Sequence, residues 1–195
     1  LEGKFQKKPQ LIAPNVKVLT DGFNYGQNLA MNIQTMNVEK SNELPKGTYT
    51  SIAGNKATAW GLIAAAEKCG KRLFLGSYPI TPATDIMHEL AARKDMGVMV
   101  VQAEDEIAGV CTAIGAAFAG DLAATSTSGP GLSLKGEAIG LAVMAELPLV
   151  VIDVQRGGPS TGLPTKTEQS DLNQALYGRN GEAPLVVMAA SSSAN

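Results

Sequence analysis

From Thr48 onward, short runs of β-branched and aliphatic residues alternate with longer stretches of helical period. This alternation limits the fold more than any other feature of the chain. Residues 73–75, 98–101, 122–125, 149–154 and 185–188 read as strands. Residues 57–69, 83–93, 104–119, 132–145 and 168–177 read as helices. Strands joined through helices pair in parallel, because each crossover returns the chain to the same end of the sheet. The strand runs are almost continuously apolar, as in sheets covered on both faces. The expected fold is therefore α/β, a parallel sheet with helices on both faces.

Of 195 residues, 45% are hydrophobic and 17% charged, which suffices for a buried core. A net charge of −2 supplies no electrostatic attraction for nucleic acid, so no nucleic-acid partner is expected. No apolar run reaches the ~18 residues of a membrane span. With no signal-peptide pattern either, a cytoplasmic setting and no membrane partner are the expectation. Cys69 and Cys111 show no CxxC spacing and sit in apolar helical patterns, so both read as reduced core thiols. The single histidine, His88, cannot build a zinc site and reads as structural or surface. Residues 1–28 are mostly polar, and 28–47 mix Asn, Gln, Met, Ser and Pro without a period, as in a linker or extended arm. Both ends read as cut from a longer chain.

In open α/β sheets the loops after the carboxyl ends of strands share one edge, and ligands bind there. Four such loops carry candidate chemistry. The last, 156–165, joins Arg156 to glycines, prolines and hydroxyls directly after the most apolar strand. An Arg fork suits a carboxylate or phosphate, and glycines let backbone N–H groups approach it. An ordinary strand-to-helix loop with a surface Arg would look the same. The first loop, 76–82, holds two prolines, with Thr81 placed to N-cap the following helix. The second, 102–106, puts Glu104, Asp105 and Glu106 at a helix start, where the dipole favours carboxylates. Glu106 opens an apolar face of Ile107, Val110, Cys111, Ile114 and Phe118, which should turn it coreward and raise its pKa. The opposite face carries Ala108, Thr112, Gly115, Ala116 and Ala119. The third loop, 125–131, is rich in hydroxyls and glycine but lacks the Lys and spacing of a P-loop.

Taken in order, YPITP (Tyr78–Pro82), EDEIA (Glu104–Ala108), TSTSGPG (Thr125–Gly131) and RGGPSTGLPT (Arg156–Thr165) resemble the 2-oxoacid:ferredoxin oxidoreductases. The similarity is to the thiamine-pyrophosphate pyrimidine-binding domain of the α subunit. It is to the 2-oxoglutarate form, in which a γ-type domain is fused ahead. The resemblance implies that residues 1–26 are the tail of the γ-type domain and 27–47 a linker. Residues 48–195 would be the pyrimidine-binding domain, incomplete at its C-terminus. It implies that Glu106 contacts N1′ of the thiamine pyrimidine ring, with Glu104 and Asp105 as adjacent alternatives. A buried carboxyl can share a proton with that nitrogen; a surface one cannot. Tyr78, Pro79, Ile80, Ser128 and Gly129 would line the same cofactor. Thr81, Arg156 and Thr165 would hold the oxoacid, with Arg156 on its carboxylate.

The implied activity is oxidative decarboxylation of 2-oxoglutarate with coenzyme A to succinyl-CoA, CO2 and reduced ferredoxin. Family members of this kind bind the diphosphate and Mg2+ through a GDG…N motif on another domain. Here Gly120-Asp121-Leu122 departs from it, and no iron–sulfur cysteine cluster is present. The resemblance thus implies thiamine diphosphate shared with a β subunit that carries Mg2+ and the iron–sulfur cluster. It implies a hetero-oligomer that is inactive as this chain alone. Pyruvate, branched-chain oxoacids and indolepyruvate remain alternative substrates. A non-catalytic anion-binding or assembly module is the alternative of another class.

Overall fold

The alternation resolves into a four-stranded parallel sheet in a computed structural model that describes residues 1–30, 36–40 and 45–194. In chain order the elements are α1 (Ile12–Ala30), α2 (Gly54–Cys69), β1 (Leu73–Ser77), α3 (Thr84–Ala91), β2 (Met99–Gln102), α4 (Glu106–Phe118), β3 (Leu122–Thr127), α5 (Gly129–Leu134), α6 (Gly136–Met144), β4 (Leu149–Asp153) and α7 (Leu172–Tyr177). Strand order is β2-β1-β3-β4, every pair parallel.

Period-2 alternation divides the core between the two faces of the sheet. Leu73, Leu75 and Ala124 point to the face where Leu62, Ile63 and Ala66 of α2 meet Ile86, Met87 and Leu90 of α3. Phe74 and Ala123 point to the other face, against Ala113, Ala116 and Ala117 of α4. Gly70, at φ 62°, ends α2 in the left-handed conformation, its N–H bonded to the Ala66 and Glu67 carbonyls. At the amino-terminal edge of the sheet, Arg72 grips Asp121 through Nη2–Oδ2 at 2.6 Å, linking β1 to β3.

Helix α4 turns a different face inward from the one expected. Its buried residues are Gly109, Val110, Ala113, Ala116 and Ala117. Ile107 and Phe118 are 55% and 82% exposed, and Cys111 is exposed. The reason is the close approach of α4 to β1. A Cβ on Gly76 would lie 2.5 Å from the Gly109 carbonyl oxygen and 3.0 Å from the Ala113 nitrogen. Only small residues fit such a contact, so the bulky stripe faces out. Both cysteines are exposed rather than core thiols: Cys69 closes α2 at its last turn, and Cys111 lies outside the buried face of α4.

Three more expectations need correcting. Residues 185–188 form no strand: Val186 and Met188 are 90% and 88% exposed, and Pro184 has no N–H to give a ladder. The segment instead borders a cavity of about 710 Å³ beside Leu149 and Val151 of β4. The helix expected over 132–145 breaks at Lys135, which closes α5 and opens α6. Arg179 Nη1 donates to the carbonyl of Gly136, the first residue of α6. The helix expected from Glu168 starts at Leu172, because Glu168 Oε2 accepts from Gly158 N at 3.0 Å instead.

The chain forms two compact units, Leu1–Tyr49 and Thr50–Asn195. In the first, a 3-10 turn at Pro9–Leu11 leads into α1, which carries a Lys17–Asp21 pair at 2.8 Å on its exposed surface. Residues 31–35 and 41–44 of the expected 27–47 linker lie outside the described residues. Among the described residues, no helix is long and apolar enough to cross a membrane.

Candidate active site

Strand register brings the four loops to one edge. Ser77 pairs with Gln102, and Thr127 with Asp153, so the strands end nearly level. Hydroxyls crowd that edge and are buried: Ser77, Thr125, Ser126, Thr127 and Ser128. Ser77 Oγ donates to the Ser126 carbonyl at 3.0 Å and lies 2.8 Å from Ser126 Oγ. Ser128 Oγ, at the N-cap of α5, is buried without a hydrogen-bond partner among the described residues.

Of the three carboxylates at the start of α4, Asp105 is the cap. Its Oδ1 accepts from the N–H groups of Ile107 and Ala108 at 2.8 and 2.9 Å. Glu104 is exposed, while Glu106, the first helical residue, is half-buried. Gly131 shows what Glu106 meets. A Cβ there would fall on Thr127 Oγ1 and the Tyr78 hydroxyl, and 3.1 Å from Glu106 Cγ. The bare glycine thus lets Glu106, Tyr78 and Thr127 converge on one spot. The Tyr78 hydroxyl sits 3.1 Å from Thr127 Oγ1. Burial pushes the Tyr78 pKa up, and the Glu106 carboxylate adds to the shift, so the phenol stays neutral.

Beneath this group lies Lys135, which sequence reasoning missed because a Lys in an amphipathic run reads as solvent-facing. It is fully buried. Its Nζ donates to the Glu106 carbonyl at 3.0 Å and to Thr125 Oγ1 at 2.9 Å. Burial lowers its pKa to about 8, against the opposing pull of Glu106, Asp105 and Cys111.

Arg156 is buried, and its Nη1 donates to the Thr81 carbonyl at 2.7 Å. Its Nε has no hydrogen-bond partner among the described residues. With Gly129, Gly158, Ser160 and Asp171 it lines a cavity of about 660 Å³. Thr81 is not the N-cap of α3. Ala83 holds that position, and Thr84 Oγ1 both accepts from Ile80 N–H and donates to the Ile80 carbonyl. Thr81 therefore joins Arg156 through its backbone. Pro79 is exposed and Ile80 half-buried in the same loop. Thr165 stands exposed outside the lining of the Arg156 cavity. The loop before it curls back on itself, with Leu163 N–H on the Gly157 carbonyl at 2.8 Å and Gly162 at φ 48°.

A carboxyl pair also went unnoticed. Asp153 ends β4 beside Asp171, whose Oδ1 accepts from Ser170 Oγ at 3.0 Å. Burial, then Asp171, pushes the Asp153 pKa up to about 7. Asp153 signalled only as a polar residue closing an apolar strand. A Cβ on Gly129 would lie 2.6 Å from Asp171 Oδ1, so the pair packs directly under the third loop.

Comparison with known proteins places this edge in context. Residues 65–195 match the family described as pyruvate flavodoxin/ferredoxin oxidoreductase, thiamine diphosphate-binding. The 2-oxoglutarate oxidoreductase subunit KorA of Mycobacterium tuberculosis is 57% identical over 192 residues, which cover 98% of this chain and 29% of that protein. The 2-oxoglutarate synthase subunit KorA of Archaeoglobus fulgidus is 46% identical over 142 residues, 72% of this chain and 40% of that protein. Among solved structures, the 2-oxoglutarate:ferredoxin oxidoreductase from Magnetococcus marinus with 2-oxoglutarate, coenzyme A and succinyl-CoA bound is 40% identical, with a TM-score of 0.65. That similarity covers 94% of this chain and 31% of the Magnetococcus chain. The chain spans between 29% and 40% of the length of these three relatives. With its parallel sheet, its four loops on one edge and this match over most of its length, the chain belongs to the pyruvate flavodoxin/ferredoxin oxidoreductase family and carries the thiamine diphosphate-binding domain.

Proposed function

We propose that this chain is part of the α subunit of a 2-oxoglutarate:ferredoxin oxidoreductase. The reaction is oxidative decarboxylation of 2-oxoglutarate with coenzyme A to succinyl-CoA, CO2 and reduced ferredoxin. The observation that carries the reading is the convergence of Glu106, Tyr78 and Thr127 at Gly131. A half-buried carboxyl beside a neutral phenol and an unpartnered Ser128 hydroxyl suits a planar, nitrogen-bearing ring. Glu106 would hold the proton at N1′ of the pyrimidine, while Tyr78, Pro79, Ile80, Ser128 and Gly129 would surround the ring. Thiamine diphosphate, when bound, supplies the electron sink for decarboxylation.

Arg156 would face the oxoacid carboxylate, with Thr81 held at its guanidinium through the backbone carbonyl. Thr165, expected in the same pocket, would have to join it from outside the present lining. The unpartnered Nε of Arg156 and its place in the lining of the 660 Å³ cavity support that role. A second polypeptide, a β subunit, would hold the diphosphate, Mg2+ and the iron–sulfur cluster and pass electrons to ferredoxin. The names of the relatives, subunits of 2-oxoglutarate oxidoreductases and synthases, support the substrate and the multi-subunit assembly. A cytoplasmic location follows from those reactants. We also read residues 1–26 as the tail of a fused γ-type domain and 27–47 as a linker.

Glu106→Gln in the full-length, assembled enzyme tests the reading. The amide keeps the size of the side chain but cannot exchange the proton. Turnover with 2-oxoglutarate should fall by roughly 10²–10⁴-fold, as for loss of a general acid–base, while assembly is unchanged. Undiminished turnover would remove Glu106 from the chemistry. Faster turnover of pyruvate than of 2-oxoglutarate by the wild-type enzyme would reassign the substrate.

A further inference from the structure

Lys135 is the one fully buried ammonium among the described residues, and the chemistry assigned to Glu106 does not require it. It stands at the junction of α5 and α6. Its two hydrogen-bond acceptors, the Glu106 carbonyl and Thr125 Oγ1, are both neutral. The face of the Tyr78 ring lies 5.1 Å from Nζ. Among the described residues no carboxylate comes within ion-pair distance of it. Burying a charge without a counter-ion in contact is unfavourable, and a Met would fill the same space without that cost. A tie made only for packing has no need of the charge. The titratable groups around it are Tyr78, on the loop after β1, and Asp105, Glu106 and Cys111 around the start of α4.

We propose that Lys135 is a positioning residue for Glu106. Its ammonium ties the backbone of the first α4 residue to β3 and sets a positive charge beneath the carboxylate that meets the cofactor. The tie at the carbonyl holds the Glu106 side chain against Tyr78 and Gly131. The charge also attracts the Glu106 carboxylate, without a direct ion pair. Lys135 itself touches neither cofactor nor substrate. The inference rests on the thiamine reading of Glu106 given above.

The experiment uses the full-length enzyme assembled with its partner subunit. Lys135→Met should lower kcat by roughly 10- to 200-fold, the range for loss of a hydrogen bond to a charged group. The KM for 2-oxoglutarate should be unchanged, and thiamine diphosphate should bind more weakly in calorimetry. The wild-type pH profile of kcat should fall on the alkaline side near pH 8, where Lys135 loses its charge, and the variant should lack that limb. Lys135→Gln keeps donors for the same two acceptors but no charge, and it decides the matter if the Met variant does not fold. It should recover cofactor affinity while kcat stays low. Wild-type kcat and affinity in a folded Lys135→Met protein, or full recovery of kcat in Lys135→Gln, would overturn the proposal. Glu106→Gln run in parallel separates the two ideas. If it loses turnover and Lys135→Met does not, only the role of Lys135 falls. If it keeps full turnover, the thiamine reading falls and takes the Lys135 role with it.

Discussion

Asp153 ends the edge strand of the sheet with its Oδ1 buried and without a hydrogen-bond partner among the described residues, beside a second buried carboxyl, Asp171. Two carboxylates so close favour sharing a proton over carrying two charges. An acid whose pKa is higher folded than unfolded stabilises the fold while it is protonated. For Asp153 that contribution is full below the ordinary value of 3.8 and is lost as pH rises through about 7. Thermal unfolding of the chain should therefore show stability falling across this window. Asp153→Asn keeps the shape and removes the charge, so the Tm of the variant should vary less with pH and exceed the wild-type value above pH 7. Identical pH dependence in the two proteins would show that the pair does not hold the shared proton. The carboxyl pair and Lys135 escaped sequence reasoning for one physical reason. A charged residue in a strand end or helical run is assumed to reach solvent, and only the tertiary fold decides whether it does. The half-burial of Glu106 was expected from the wrong face: Ile107 and Phe118, which were to carry it coreward, are exposed, and it is the bare Gly131 with Tyr78 and Thr127 that it packs against.

The packing of α4 on β1 shows where element-scale reading succeeds and where it stops. Four of the five strand runs pair as expected, since aliphatic runs bounded by turn residues have few other ways to be buried. The face of α4 was misjudged because hydrophobicity ranks Ile107 and Phe118 above Gly109 and Ala113, whereas close approach ranks them the other way. Residues 185–188 had strand composition but form no ladder with β4. The Gly76–Gly109 contact gives a direct check. An Ala at Gly76 would press its Cβ onto Thr112 Oγ1 and to 2.5 Å from the Gly109 carbonyl oxygen. The backbone of α4 cannot yield as a flexible side chain would. Gly76→Ala should cost about 1–3 kcal/mol or more in urea unfolding, as overpacking does. Ala at Gly61, where a Cβ meets nothing within 4 Å, should not destabilise α2 and serves as the control. Equal stability of the two variants would mean that α4 does not sit on β1 as closely as described.

At the scale of the whole chain, the distribution of charge bears on how much of a cofactor site it can supply. Thiamine diphosphate joins a nearly neutral ring to a strongly anionic tail. Under the proposed function the ring side would be supplied by Glu106, Tyr78 and Thr127, gathered around Gly131. The tail side needs cations or bound metal, and neither buried cation of the site is left for it: Arg156 would meet the oxoacid carboxylate. Lys135 gives two hydrogen bonds to groups within the core, and one nitrogen of Arg156 holds the Thr81 carbonyl. The net charge of −2 adds no general attraction for an anion. Under the proposed function the diphosphate and Mg2+ belong to a partner subunit, so this chain by itself should bind thiamine diphosphate weakly. Its affinity for thiamine, which lacks the diphosphate, should differ little from that for the diphosphate. Calorimetry of the chain with both ligands, with and without Mg2+, makes the comparison. Submicromolar binding of the diphosphate form that requires Mg2+ would place the anion site on this chain and defeat the division of the cofactor between two polypeptides.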